Sequence, residues 1–485
     1  MHRFVVVVNL LGAMVVIFAL NMFLPLGLSL YLADGAESAY DTAIAVTLVA
    51  GAVAWLATRG AERELQARDG FLLVTLAWTV LPAFATLPLL SYIPNLSFTD
   101  AYFETMAGLT TTGATVLVGL DHLPPSINMW RCQLQWLGGM GILILVVAIL
   151  PLLGVGGRQV LRAETPGPMK DTKLTPRITG TAKGLWFVYG LFTLACILAM
   201  HWAGMTWLDA VMHAFTTMST GGFSSYDASF GHWNSPAIEV VTIIFMTIAG
   251  INFATHFQVL RKRSLNPYRL DVEARAFISM LCASILGLAV FLYAKGTYPD
   301  LLTAIRYTAF NVVSVATSTG YANSDFGVWP LFAPLWMLFL ASFASCSGST
   351  GGGIKMMRAI LMFKQAFREL ARIVHPRAYV PVKLAGHPIE NNIIFAVLAY
   401  MLVYGSTISI ITMLLTATGV DLVTAFSAVV ACINNLGPGL GQVGPAGNYA
   451  WLSDFQAWLL VSAMLLGRLE LLTVLVLFTP AFWRK

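Results

Sequence analysis

The chain has 485 residues and a net charge of +5; 58% of it is apolar and only 11% is charged. Soluble domains carry about 25% charged residues, so this chain cannot cover a water-facing surface of its own size. That excludes a cytosolic enzyme, a disordered scaffold and a secreted disulfide domain, and makes lipid the main solvent.

The first apolar run, 4–31, is far longer than a signal-peptide core of about 7–15 residues and reads as a retained span. A spanning helix needs about 20 apolar residues. On that criterion ten spans are expected: 4–31, 40–58, 70–92, 128–153, 184–204, 236–260, 275–294, 331–361, 391–417 and 455–481. The runs do not alternate, so helices and not barrel strands follow. Four further apolar stretches, 99–112, 207–219, 302–317 and 421–435, are too short to cross. Residues 362–375 pattern as an amphipathic helix lying on the membrane face.

All but four of the 28 Lys and Arg residues fall in one set of segments: position 3, 59–68, 158–183, 261–275, 355–383 and 484–485. The exceptions are Arg131, Lys295, Arg306 and Arg468, and the opposite loops carry mainly acids. The bias places both termini in the cytoplasm, which an even span count allows. The four short stretches then enter and leave on the outer side. The basic segments read as solvated loops near anionic lipid, or as a docking face for a soluble partner; no nucleic-acid partner is expected. The five cysteines, Cys132, Cys196, Cys282, Cys346 and Cys432, lie too far apart in sequence for a CxxC motif and read as small apolar packing groups. His201, His213 and His256 are scattered without metal-ligand spacing, and no catalytic constellation appears.

Each short stretch runs into a glycine: Gly113, Gly222, Gly320 and Gly437, spaced by 109, 98 and 117 residues. A small residue stands twelve positions earlier in each (Ala101, Ala210, Thr308, Ala425), and Asp100 and Asp209 are expected to cap the first two short helices. The unit is span, half-helix, polar loop, span, occurring four times. The chain divides into an N-terminal two-helix domain (1–68) and four pore units (69–165, 166–266, 267–385, 386–485). The fold class is an all-α polytopic membrane protein with four pseudo-repeated units around a central pore.

The loops read Thr111-Thr112-Gly113-Ala114, Thr220-Gly221-Gly222-Phe223, Ser318-Thr319-Gly320-Tyr321 and Asn435-Leu436-Gly437-Pro438. None of these residues is charged at neutral pH, so neither a carboxylate ring nor a basic ring is present. Backbone carbonyls remain, and rings of carbonyls can replace the hydration shell of a monovalent cation. The half-helices would point their negative ends at it. Alternatively, these glycines serve only close helix packing.

The four unequal units with one glycine each, the stretches 110–115, Gly221-Gly222-Phe223-Ser224, 434–439 and Gly467-Arg468-Leu469-Glu470, and the two extra N-terminal spans resemble the Trk/Ktr/HKT potassium transporter superfamily, most closely its bacterial TrkH branch. The resemblance implies K⁺ uptake across the inner membrane, a homodimer, control by a separate cytoplasmic nucleotide-binding subunit (TrkA-like), and no cofactor besides the transported ion. It places K⁺-coordinating groups on Thr111, Thr112, Thr220, Gly221, Ser318, Thr319, Asn435 and Leu436, with the four glycines beside them.

Below the third loop, 344–353 holds Gly348, Ser349, Thr350, Gly351, Gly352 and Gly353, enough glycine to break a helix inside the membrane. A plain kink competes with a movable plug; the resemblance favours the plug. A phosphate-binding loop fails, because Ile354 separates Gly353 from Lys355 and no strand precedes. Likewise 154–157 lacks a dinucleotide-binding context. Arg468 sits mid-span and should face the interior, either as a barrier to cations near 345–353 or as the partner of Glu470 or another acid. Nine residues before the loop glycines stand Glu104, His213, Asn311 and Ala428. The three polar ones would either brace the loops from behind or bond to neighbouring spans. The rival function, a secondary symporter with inverted repeats, fits poorly with four loops entering from one side, although coupling of K⁺ entry to H⁺ or Na⁺ stays open.

Overall fold

The structure, a computed structural model, describes residues 2–60, 67–144, 178–384 and 386–484. Its helices are, in chain order, α1 (His2–Asn21), α2 (Phe23–Leu32), α3 (Glu37–Ala57), α4 (Ala67–Tyr92), α5 (Phe98–Leu109), α6 (Pro125–Ile144), α7 (Ile178–Trp202), α8 (Trp207–Met218), α9 (Pro236–Ala249), α10 (Phe253–Lys262), α11 (Asn266–Leu270), α12 (Val272–Ala294), α13 (Leu301–Ala316), α14 (Phe332–Phe343), α15 (Met356–Val374), α16 (Asn391–Ala417), α17 (Leu422–Ile433), α18 (Asp454–Arg468), α19 (Leu472–Leu475) and α20 (Pro480–Trp483). A two-residue antiparallel pair, β1 (Lys383–Leu384) and β2 (His387–Pro388), joins α15 to α16.

Six segments among the described residues are long and apolar enough to cross a bilayer: Phe4–Leu32, Glu37–Ala57, Arg68–Tyr92, Ala182–Trp202, Val272–Ala294 and Asn391–Ala417. The sequence suggests ten, and the differences arise at identifiable bends and breaks. The span expected at 236–260 turns by 95° between α9 and α10. Gly250 ends the first helix and the Asn252 side chain starts the next by accepting from the Ala254 amide at 2.8 Å. The span expected at 455–481 turns by 106° just after Arg468, through Glu470 and Leu471, both at positive φ. The span expected at 331–361 is the 12-residue α14, an irregular stretch, and then α15. The amphipathic segment at 362–375 is therefore the continuation of α15 and no separate helix. The span at 128–153 begins as α6 and passes beyond the described residues after Ile144. The basic stretch 158–177, the glycines at 154–157 and part of 59–68 also lie outside them.

The four short stretches fold as α5, α8, α13 and α17, with 12, 12, 16 and 12 residues. Their caps correct one expectation. Ser97 and Thr206, not Asp100 and Asp209, are the N-caps, accepting from the amides three residues on. Asp100 and Asp209 are those third residues, and their carboxylates accept the cap hydroxyls at 2.7 Å. Asp300 and Asp421 cap the other two helices. The signal was present as Ser or Thr followed three residues later by an acid.

One large apolar core joins α7–α10 to α12–α15. A second joins α5 and α6 to α17 and α18. A third seats α1–α3 against α4 and α6. Within the N-terminal hairpin, Gly12 and Gly51 allow α1 and α3 to touch backbone to backbone: a Cβ on Gly12 would lie 2.6 Å from the Trp55 amide nitrogen. Small residues serve this purpose in lipid, where apolar burial alone gives helices no reason to associate.

Candidate functional site: a ring of glycine turns between two cavities

The four half-helices end in the same way. Thr111, Thr220, Ser318 and Asn435 all take left-handed backbone, with φ of 53°, 54°, 56° and 52°. The next residue (Thr112, Gly221, Thr319, Leu436) returns its amide to the carbonyl five positions back, at 2.8 Å in every case. This is the helix-terminating bond of a Schellman cap. Gly113, Gly222, Gly320 and Gly437 follow, again at positive φ.

The turns meet in cyclic order. A Cβ on Gly113 would lie 2.0 Å from the Gly221 carbonyl oxygen, one on Gly222 1.9 Å from that of Thr319, and one on Gly320 2.0 Å from that of Leu436. The circuit closes with Gly437 against the Thr112 carbonyl, at 2.8 Å. Each glycine is thus required twice, for its φ and because the neighbouring turn's carbonyl occupies the place of a side chain.

Backbone carbonyls here are unusual in lacking donors. Among the described residues no N–H or O–H group donates to the carbonyls of Thr111, Thr112, Thr220, Ser318, Thr319, Asn435 or Leu436. Buried carbonyls are ordinarily paired. Gly221 departs from this set: its carbonyl accepts Gln135 Nε2 at 2.7 Å, while Gln135 Oε1 accepts the Phe223 amide. The Gly437 carbonyl accepts the Tyr449 hydroxyl.

Side chains behind the turns brace them. Glu104 accepts from the Thr115 hydroxyl and the Val116 amide, both at 3.0 Å, and pairs with Arg131 at 2.7 Å. Arg131, fully buried, crosses to the second loop, donating to the Ser224 carbonyl and lying over the Phe223 ring. His213 bonds Ser224 Oγ at 2.9 Å. Asn311 donates to Asn323 and Ser324, just past the third turn. In the fourth unit Ala428 has no polar group, and the adjacent Ser427 bonds both the amide and the carbonyl of Leu440. Tyr321 ties the third turn to α8, through the hydroxyls of Thr216 and Thr217 and the His213 carbonyl. Asn435 donates to Thr112 Oγ1, joining the last turn to the first.

On one side, a cavity opens onto all four glycines and is walled by Thr115, Ser224, Asp227 and Tyr449. On the other, a second cavity is bounded by Gly348, Ser349, Gly351–Gly353, Lys355, Asn435, Arg468 and Glu470. The irregular stretch 344–355 forms one wall of this second cavity. Gly352 donates its amide to Ser318 Oγ at 2.7 Å and abuts the Asn434 carbonyl. Thr350 Oγ1 bonds the Met218 and Ala249 carbonyls. Lys355, at φ 77°, directs its ammonium to the Gly351 carbonyl.

Arg468 is buried against this stretch. It donates to the Thr350 carbonyl at 2.9 Å and to the Gly138 carbonyl at 3.1 Å. The Arg468–Glu470 pair weighed from sequence does not form, because Glu470 takes Arg358 at 2.7 Å. Of the other exceptional basic residues, Arg306 pairs with Glu239 and Lys295 caps the C-terminus of α12, where a cation suits the helix dipole.

Sequence reasoning singled out the turns, Arg468 and the stretch 348–353. It did not single out Gln135 or Tyr449, which carry no local signal. Arg131 was noticed only as a charge on the wrong side, and its partner Glu104 only by its alignment with His213 and Asn311.

The family described as TrkH, cation transport protein, matches residues 37–485. Proteins named Trk system potassium uptake protein TrkH are similar along their full length: that of Halomonas elongata is 47% identical over 481 residues, 99% of each chain. That of Salmonella typhimurium is 46% identical over 486 residues, 100% of each chain. The crystal structure of the potassium transporter TrkH from Vibrio parahaemolyticus superposes with a TM-score of 0.92 at 42% identity, over 99% of this chain and 100% of that one. These relatives are transporters, not enzymes.

Proposed function

The chain belongs to the TrkH family of cation transport proteins, and on that premise we propose that it takes up K⁺ across the bacterial inner membrane through the ring of glycine turns. Thr111, Thr112, Thr220, Ser318, Thr319, Asn435 and Leu436 supply carbonyl oxygens in place of the ion's water. Gly221 serves mainly to fix the ring through Gln135. The observation that carries this reading is the cyclic contact of four turns whose buried carbonyls lack donors. A dehydrated monovalent cation is a fitting partner for such oxygens, and the four half-helix C-termini add negative potential at the same place.

The stretch 348–353 acts as the gate, and Arg468, held against it by Thr350, places a positive charge in the cation's path. The relatives' names support potassium as the ion. The charge bias supports cytoplasmic termini and ten crossings in four pore units behind a two-helix N-terminal domain. A homodimer and a nucleotide-binding cytoplasmic subunit complete the assembly by family resemblance.

Flux in liposomes tests the proposal. The native protein should pass K⁺ well ahead of Na⁺, and Gly113→Ser should lose that preference. Equal K⁺ and Na⁺ flux in the native protein would overturn it. A native flux that requires an H⁺ or Na⁺ gradient would instead establish coupling.

A further inference from the structure

The helix break at 344–355 strands backbone amides at membrane depth, and each must find a partner away from its own helix. Glu273, on the first turn of α12 and fully buried, meets this need at both ends of the break. One oxygen, Oε1, accepts the Ser347 amide, the Ser347 hydroxyl and the Met357 amide, each at 2.9 Å. Ser347 lies within the irregular stretch and Met357 in the first turn of α15, which follows it. The second oxygen, Oε2, is buried without a hydrogen-bond partner. A carboxylate anchored through one oxygen alone is specific in where it holds the stretch, and depends on α12 staying in place.

Two further sets of contacts attach the same segment to the same region. The Cys346 amide donates to the Gly250 carbonyl and the Phe253 amide to the Gly348 carbonyl, at 3.0 and 3.1 Å. Both lie at the 95° bend between α9 and α10. Asp271 joins the two supports: Oδ1 caps α12 through the Glu273 and Ala274 amides, and Oδ2 accepts the Thr255 hydroxyl of α10 at 2.7 Å. Beyond Thr255, α10, its C-cap and α11 carry Arg261, Lys262, Arg263 and Arg269 on an exposed surface.

We propose that Glu273 is a positioning residue that latches the 344–355 stretch beneath the ring, and that the arm formed by α10 and α11 releases it by shifting the start of α12. The inference rests on the gate reading above. A displacement of the arm pulls Asp271, and with it Glu273, away from donors that belong to a different element. The stretch then loses amide partners at both of its ends together.

Basal K⁺ efflux from liposomes holding the full chain alone is the readout, with Arg468→Gln as the reference for an opened path. Glu273→Ala should raise basal flux several-fold while leaving the K⁺/Na⁺ ratio at the native value. Glu273→Gln, whose amide oxygen can still accept from Ser347 and Met357, should stay within about twofold of native. Ser347→Ala, which deletes one bond, should give a smaller rise, and it decides the matter if Glu273→Ala fails to fold. Native flux from well-folded Glu273→Ala, or from Ser347→Ala in its place, alongside raised flux from Arg468→Gln overturns the latch and leaves the gate standing. Native flux from all three overturns the gate itself.

Discussion

The ring of turns and the stretch beneath it occupy adjacent space but differ in how far backbone contact or hydrogen bonding holds them. In the ring, backbone presses on backbone: carbonyls lie where a Cβ of Gly113, Gly222 or Gly320 would be. No rotamer change relieves such a contact. The 344–355 stretch shares one contact of that kind, Gly352 against the Asn434 carbonyl, but most of its ties are hydrogen bonds: its own Ser345, Ser347, Thr350 and Gly352 donate, Glu273 and Ser318 accept, and Arg468 donates to it. Each bond can be exchanged for another at modest cost, because a typical protein hydrogen bond nets only about 1 kcal/mol. Rigid selection and reversible closure thus call for different physics within a few residues of each other.

The contrast can be broken most forcefully in the ring. Gly222→Ala would drive a methyl into the Thr319 carbonyl and strain a left-handed residue; loss of K⁺ preference in liposome flux, with reduced yield, is expected. Gly437→Ala should be the mildest of the four equivalent substitutions, since its neighbour stands 2.8 Å from the Cβ position and not 2.0 Å or less. Ranking the four variants by K⁺/Na⁺ flux ratio checks the order. Next in size, Glu104→Gln removes one member of a fully buried ion pair. Such losses cost about 3–5 kcal/mol, so thermal unfolding in detergent should shift well below native. Replacing Arg131 by Met as well should recover part of the shift.

In the lower stretch, Arg468→Gln should increase K⁺ flux without altering the ion ratio, which separates a barrier from a selectivity element. At the rim the effects are smaller. Ser97→Ala or Thr206→Ala should destabilise by about 1 kcal/mol, the usual worth of an N-cap, read as a small loss in thermal stability. The Asp421 carboxyl is held below its ordinary value, first by the Thr424 hydroxyl and then by the Thr424 amide. A depressed carboxyl contributes stability that is present above its unfolded value and disappears as pH falls through the folded one. Asp421→Asn should therefore flatten the acid limb of the stability curve, with stability slightly below native at neutral pH and close to native in acid.

What could be read from the sequence was local. The half-helices and their turns depend on an apolar run, a small residue and a glycine in a fixed order, and the turns fall where that order places them. The break at 344–355 was legible for the same reason. The bends at 250–252 and 469–471 were not, because each is made by contacts with distant parts of the chain: Gly348 packs on Asn252, and Arg358 holds Glu470. Caps at Asp100 and Asp209 were misassigned by three residues because an acid early in a helix suits both positions. Gln135 stayed hidden, since a lone amide in a span looks the same whether it clips a loop or faces a neighbour.

The third half-helix is one turn longer than its three counterparts. At 1.5 Å per residue, four extra residues extend it by about 6 Å. Since all four rods run into equivalent glycine turns, the surplus stands at the end away from the ring, where Asp300 caps it. The likeness of the four units therefore holds near the turns and fails at the caps: Asp300 stands further along the chain from its glycine than Ser97, Thr206 or Asp421 do from theirs.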